Sequence, residues 1–176
     1  YPLVLAPGVL GFDKVLGIEY WYGIPGALRK DGAQVFVTSA SAFNSSEARG
    51  EQTLRQVQDI LAITGAAKLN LIGHSHGGFS VRYVANLMPS RIASITLVGS
   101  PVKGTPVADL VGKFTANRAI GGLAGTIGNA FSSLLTTLAG NNYNEDILGS
   151  MASLSTSGAA TFNATHAMGV PATTCG

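Results

Sequence analysis

Lys68-Leu69-Asn70-Leu71-Ile72-Gly73-His74-Ser75-His76-Gly77-Gly78 decides how the rest of the chain is read. A short apolar run meets a cluster of glycines, so the spacing predicts a buried strand breaking into a tight turn. Gly73, Ser75 and Gly77 fit Gly-x-Ser-x-Gly, the pattern of a nucleophile elbow. Such a turn strains its central residue, and small flanking residues let the chain reverse without clashes. The serine hydroxyl is then raised clear of the backbone at the C-terminal edge of a sheet. A helix expected from about His76 to Met88, stopped by Pro89, aims its free N–H groups at the same spot. Negative charge developing on a substrate oxygen would be stabilised there. A glycine-rich turn with a capping serine is the plainer reading; a strand before and a helix after favour the elbow.

On the N-terminal side, Leu3-Val4-Leu5-Ala6 is an apolar run closed by Pro7-Gly8, which predicts a buried strand and a loop. In a serine hydrolase of this layout that loop supplies one oxyanion-hole N–H, and Val9 is the candidate donor. Ile18 to Tyr22 is aromatic-rich and is expected to pack as loop core. Pro25 to Lys30 reads as a short helix, with Pro25 in its first turn and Gly32 at its end. Gln34 to Thr38 is a second strand. Asn44 opens a helix to about Thr64, with Asn44 as cap and Glu47 completing a capping box. Leu54, Val57 and Leu61 share one face of it, and Glu47, Glu51, Arg55 and Asp59 a solvated one. Ile92 to Val98 is a further buried strand. Strands and helices therefore alternate, which predicts an α/β fold with a parallel, doubly wound sheet.

Composition narrows the rest. The 176 residues are 46% hydrophobic and 11% charged, long enough for one domain with a sizeable core. The net charge of +2 is scattered, so nucleic acid is not an expected partner. The one cysteine, Cys175, cannot close an internal disulfide, and no Cys/His pair has zinc-ligand spacing. No signal peptide pattern is present. Tyr1 to Ala6 opens inside an expected strand and the chain stops just after Cys175, so it reads as cut at both ends.

Beyond Thr105 no strand is expected. Ala119 to Ala139 is uncharged and, at about 21 residues, has the length of a membrane span, but four glycines, Asn129 and Ser/Thr dilute its hydrophobicity. Ile120, Leu123, Ile127, Phe131, Leu134 and Leu138 recur at helical spacing, giving an amphipathic helix. It reads as a lid over an apolar site or as a helix packed permanently on the core. Short helices are expected near Glu145–Leu154 and Ser157–Ala164, and 105–164 together as a helical lid or cap region within a single domain, 1–176.

These residues resemble the secreted bacterial true lipases of the Pseudomonas/Burkholderia type (lipase family I). The resemblance runs through Tyr1–Leu5, Gly11-Phe12-Asp13, Tyr20–Pro25, Leu28–Ala33, Ser46-Glu47, Arg49–Gln52, Asn70–Gly78, Arg82–Ala85, Gly99–Pro101, Lys103-Gly104 and Phe162–Ala164. It implies a triacylglycerol lipase with an α/β-hydrolase fold. It further implies Ser75 as nucleophile, the backbone N–H groups of Val9 and His76 as oxyanion hole, and a lid around Arg118 to Asn141. A lipase-specific foldase, one structural calcium and an extracellular location come from the resemblance alone. The sequence departs from the family where Pro7 replaces the usual histidine of the oxyanion loop. Proline removes its own donor and leaves that of Val9, so the loop's positioning hydrogen bond is what the departure puts in question.

A serine nucleophile needs a histidine base, and the histidine a carboxylate. His74 and His76 lie inside the elbow with side chains expected to point away. His166, preceded by Asp146 or Glu145, has the right order but no strand before it. The resemblance places the triad aspartate and histidine, the calcium ligands and the partner of Cys175 further along. The expectation is thus an N-terminal part of a lipase, its later strands missing and this chain inactive alone. A short-chain carboxylesterase, or an incompetent hydrolase fragment that only binds acyl ligands, are the alternatives, and a membrane-anchored scaffold depends on a span at Ala119–Ala139.

Overall fold

The computed structural model describes residues 1–15, 18–115, 118–138 and 143–167; Cys175 lies outside the described residues. Strand β1 (Leu3–Ala6) is followed by a two-residue antiparallel pair, β2 (Lys14–Val15) and β3 (Ile18–Glu19). Then come α1 (Ile24–Lys30), β4 (Val35–Val37), α2 (Ser46–Thr64), β5 (Leu69–His74) and α3 (Gly77–Leu87). After a 3-10 turn at Pro89–Arg91 the chain forms β6 (Ile92–Val98). Four helices complete it: α4 (Pro106–Thr115), α5 (Arg118–Leu138), α6 (Ile147–Leu154) and α7 (Thr156–Thr165).

The sheet order is β4-β1-β5-β6, all parallel. Side chains alternate across it with period two. Val4, Ala6, Leu69 and Leu71 face Leu54, Val57, Ile60 and Leu61 of α2 and Val81 and Val84 of α3. Leu5 and Val35 face the other way and pack with Trp21, Leu28 and Ile72. Helices thus cover both faces, as a doubly wound sheet requires. Gly50 lets α2 and α3 approach closely, because a Cβ there would run into the Tyr83 ring.

The chain leaves β1 outward to β4, then returns across it to β5. This reversal puts a topological switch point between β1 and β5, where the C-terminal ends of open α/β sheets form a crevice. Ala6 pairs with Gly73, so the loop after β1 starts beside the turn after β5.

Several local expectations are corrected. Ser45, not Asn44, caps α2: its extended backbone lets its hydroxyl oxygen accept from Ala48 N–H at 3.2 Å. Asn44 instead donates to the Asn144 carbonyl, tying down a distant loop. Ile18 to Tyr22 is only partly core: Trp21 is buried, whereas Ile18 and Tyr22 are exposed because Ile18 sits in the β2–β3 pair. Strand β6 is half-exposed rather than buried, since among the described residues it has β5 as its strand neighbour and no second one. Helix α4, an amphipathic segment between Pro106 and Thr115, falls inside the region 105–164 expected to be helical, although the sequence reading names no separate helix there.

Helix α5 forms where the amphipathic helix was expected, but it packs through its small residues. Gly121 and Gly125 are buried, and a Cβ on Gly125 would lie 3.2 Å from Leu148. Asn129 accepts a hydrogen bond from Ile147 N–H at 2.8 Å. Leu123 and Ile127 of the apolar stripe are 64% and 62% exposed. Glycine permits the closest approach of two helices, and Gly121 and Gly125 stand where α5 meets Thr115 of α4 and Leu148 of α6. Among the described residues no helix is long and apolar enough to cross a membrane.

Candidate active site

Ser75 stands at the tip of the turn between β5 and α3 with φ +53°, the left-handed region that L residues with a Cβ occupy at a cost. The turn is fixed from both sides: Ser75 N–H donates to the Val98 carbonyl at 2.9 Å, and the Ser75 carbonyl accepts from Gly78 N–H at 3.1 Å. Glycine is required at both flanking positions. A Cβ on Gly73 would lie 2.5 Å from the Gly77 carbonyl oxygen, and one on Gly77 would run into the Ala6 carbonyl. The elbow strain is therefore imposed by strand, helix and β1 together.

The loop after β1 lies against this serine. A Cβ on Gly8 would fall 2.7 Å from Ser75 Cβ, so only glycine lets the loop pass. The Pro7 and Gly8 carbonyls accept from Arg49 Nη2 at 2.9 and 2.5 Å, while Nη1 of the same guanidinium reaches the Ser41 and Ala42 carbonyls. Gly8 N–H donates to the Tyr20 hydroxyl at 2.9 Å. The loop is thus tied without the residue that Pro7 replaces. Neither Val9 N–H nor His76 N–H has an acceptor among the described residues. Val9 and Ser75 line one cleft of about 340 Å³ with Val107, Met151 and Leu154. Its walls are mainly apolar.

Arg49 is fully buried; in the sequence it stands only as part of the stretch Arg49–Gln52 that carries the resemblance, with no role assigned to it. Burial pulls its pKa down to about 10, against the opposing pull of Glu145 and Tyr20. The Glu145 carboxylate accepts from Ala42 and Phe43 N–H, on the same loop that Arg49 grips. Asp146 caps α6 by accepting from Gly149 N–H at 2.8 Å. His166 stacks on Phe162 with ring centroids 4.4 Å apart, and its Nδ1 pairs with Thr165 Oγ1 at 2.9 Å. Asp146 and His166 are therefore each engaged in helix ends and not with one another.

The two elbow histidines point away from the serine. His74 Nδ1 meets the Tyr20 hydroxyl at 2.6 Å. His76 is fully buried, with Nε2 2.9 Å from Ser46 Oγ, Nδ1 3.5 Å from Ser150 Oγ, and its ring edge-on to Phe79. Burial, and then the nearby Arg49 charge, push its pKa well below the ordinary imidazole value. An unfolded chain takes up this proton as pH falls through about 6.5, the folded one only well below that. His76 therefore contributes stability that is fully present above about pH 6.5 and is lost as pH falls toward the folded value. Denaturant unfolding should show the wild type losing about 1 kcal/mol more than His76→Gln between pH 7.5 and 5.5. Equal losses in the two proteins would remove His76 as the cause.

Among the described residues no three or more His, Cys, Asp or Glu side chains gather as a metal site. Residues 1–142 match the family described as alpha/beta hydrolase fold. The chain is 47% identical to a triacylglycerol lipase of Vibrio cholerae, across all of this chain and 57% of that protein. It is 41% identical to a triacylglycerol lipase of Burkholderia plantarii, across 93% of this chain and 47% of that one. The chain thus spans about half the length of the curated relatives it matches. The crystal structure of Bacillus licheniformis lipase BlEst2 in mature form superposes with a TM-score of 0.65 at 17% identity, over 95% of this chain and 59% of that one. At that identity the likeness speaks to the fold.

Proposed function

The chain belongs to the alpha/beta hydrolase fold family, and from that premise we propose that it carries the nucleophile and oxyanion hole of a triacylglycerol lipase. The observation that supports this most is the cleft where Ser75 and Val9 meet apolar side chains of α4 and α6. A long acyl chain fits such walls, and the ester carbonyl then lies against the serine.

In this reading Ser75 Oγ attacks the carbonyl carbon as a histidine removes its proton. The tetrahedral oxyanion accepts hydrogen bonds from Val9 and His76 N–H, at the N-terminal end of α3. Collapse expels the glycerol oxygen, which takes the proton, and water hydrolyses the acyl-enzyme by the same steps. The histidine and its aspartate are proposed to lie outside these 176 residues, because His74, His76 and His166 each have the other engagements described above. Helix α5, with Leu123 and Ile127 exposed, is proposed as part of the lid, within a cap formed by 105–164. For the whole protein, membership among secreted Pseudomonas/Burkholderia-type lipases, one structural calcium and a lipase-specific foldase belong to the same proposal.

The test is hydrolysis by the full-length protein of emulsified long-chain triacylglycerol beside a dissolved short-chain ester. Turnover that rises sharply once the substrate passes its solubility limit is expected. A rate that saturates below that limit and ignores the emulsion would give the short-chain carboxylesterase reading instead.

A further inference from the structure

Ser75 is next to a second polar chain that the elbow motif does not contain. The Tyr20 hydroxyl accepts from Gly8 N–H at 2.9 Å and lies 2.6 Å from His74 Nδ1. With Gly8 N–H already on the phenol oxygen, the hydroxyl proton is free to be given to Nδ1 in the His74 tautomer that carries its own proton on Nε2. The three groups come from three parts of the fold: the loop after β1, the segment before α1, and the last residue of β5. We propose that Tyr20 and His74 are positioning residues for ester hydrolysis, fixing the Pro7–Gly8 peptide and with it Gly8, so that the next N–H, that of Val9, aims at the oxyanion.

Four observations converge on this. Pro7 supplies no N–H, so Gly8 carries the first donor of the loop that can be anchored. Arg49 holds the Pro7 carbonyl and Tyr20 the Gly8 N–H, so the Pro7–Gly8 peptide plane is restrained from both sides, and Arg49 also holds the Gly8 carbonyl of the next plane, which carries Val9 N–H. The Tyr20 hydroxyl is close to the nucleophile itself: a Cβ on Gly8 would lie 2.8 Å from it and 2.7 Å from Ser75 Cβ. The tyrosine ring cannot swing out freely, since Phe12, Trp21 and His74 pack on it at centroid distances of 5.6 to 5.8 Å. Burial raises the Tyr20 pKa, which keeps the hydroxyl protonated and able to donate. The arrangement ties the oxyanion loop to the residue just before the nucleophile, so the donor and Ser75 move as one unit.

This inference rests on the hydrolase reading. The test therefore starts from the wild-type full-length protein, whose hydrolysis of p-nitrophenyl butyrate and labelling by a fluorophosphonate establish that reading first. Tyr20→Phe keeps the ring and loses the hydroxyl. Its kcat is expected to fall about tenfold with KM nearly unchanged. A thionoester analogue supplies the readout that a general loss of structure would not move. Its sulfur accepts hydrogen bonds weakly, so its hydrolysis should fall less than that of the oxygen ester. His74→Leu should reproduce the effect, and His74→Asn, which keeps an acceptor near the Nδ1 position, should restore most of the rate. If Tyr20→Phe does not fold, the His74→Leu and His74→Asn pair decides the matter. An unchanged oxygen-to-sulfur ratio in Tyr20→Phe, or equal rates in the two His74 variants, would overturn the proposal. A wild type that neither hydrolyses nor labels would instead overturn the hydrolase reading.

Discussion

Ser75→Ala is expected to lower ester hydrolysis by the full-length protein by about 10⁴-fold or more, with the fold intact. The hydroxyl is the group that would form the acyl-enzyme, and no nearby side chain offers a replacement. Residual activity would come from the oxyanion donors and from binding, which alanine leaves in place. Stability should hardly change, because Ser75 occupies positive φ and alanine meets the same strain there. Ser75→Gly sharpens the test: it removes the same hydroxyl but relieves the strained φ. The glycine variant should be equally inactive and at least as stable as the alanine variant. A Ser75→Ala protein that retains turnover would sink the assignment of Ser75 and with it the proposed mechanism.

Arg49→Met should destabilise the fold more than Ser75→Ala, Tyr20→Phe or His76→Gln. The side chain is fully buried and satisfies four carbonyls, those of Pro7, Gly8, Ser41 and Ala42. Methionine fills similar volume but leaves those oxygens, and the Glu145 carboxylate that offsets the Arg49 charge, without their cation. Removing one member of such a buried network costs about 3–5 kcal/mol. For a chain of this size that is about a 10 °C fall in Tm. Hydrolysis should fall as well, at temperatures where the variant is still folded, because the oxyanion loop is released. Arg49→Lys should recover little, since one ammonium cannot fork across carbonyls on two separate loops. A folded Arg49→Met with unchanged melting and unchanged kcat would show that the loops hold themselves.

Much of this was legible in the residues. Leu3–Ala6, Val35–Val37, Leu69–His74 and Ile92–Val98 emerged as strands because short apolar runs, closed by turn residues and too brief for a helix, have few other conformations. The Gly73-His74-Ser75-His76-Gly77 turn was legible for a steric reason: glycine was needed wherever a Cβ would strike the backbone. Strand order was legible only as a class, because parallel crossovers need helices but do not say which strand lies between which.

What the sequence determined by itself is the local part: strand, elbow and helix, and a serine at the tip of the turn. These depend on neighbours in the chain, whose spacing fixes period and φ. What only the tertiary structure decided is who meets that serine. Arg49, Tyr20 and His74 come to the oxyanion loop from α2, from the segment before α1 and from the end of β5, through contacts of 7 to 54 residues in sequence separation. The cap of α2 moved from Asn44 to Ser45 because Asn44 was needed by Asn144, and α5 turned its glycines inward because α4 and α6 press close. Such choices depend on packing between distant segments, which a one-dimensional pattern does not encode.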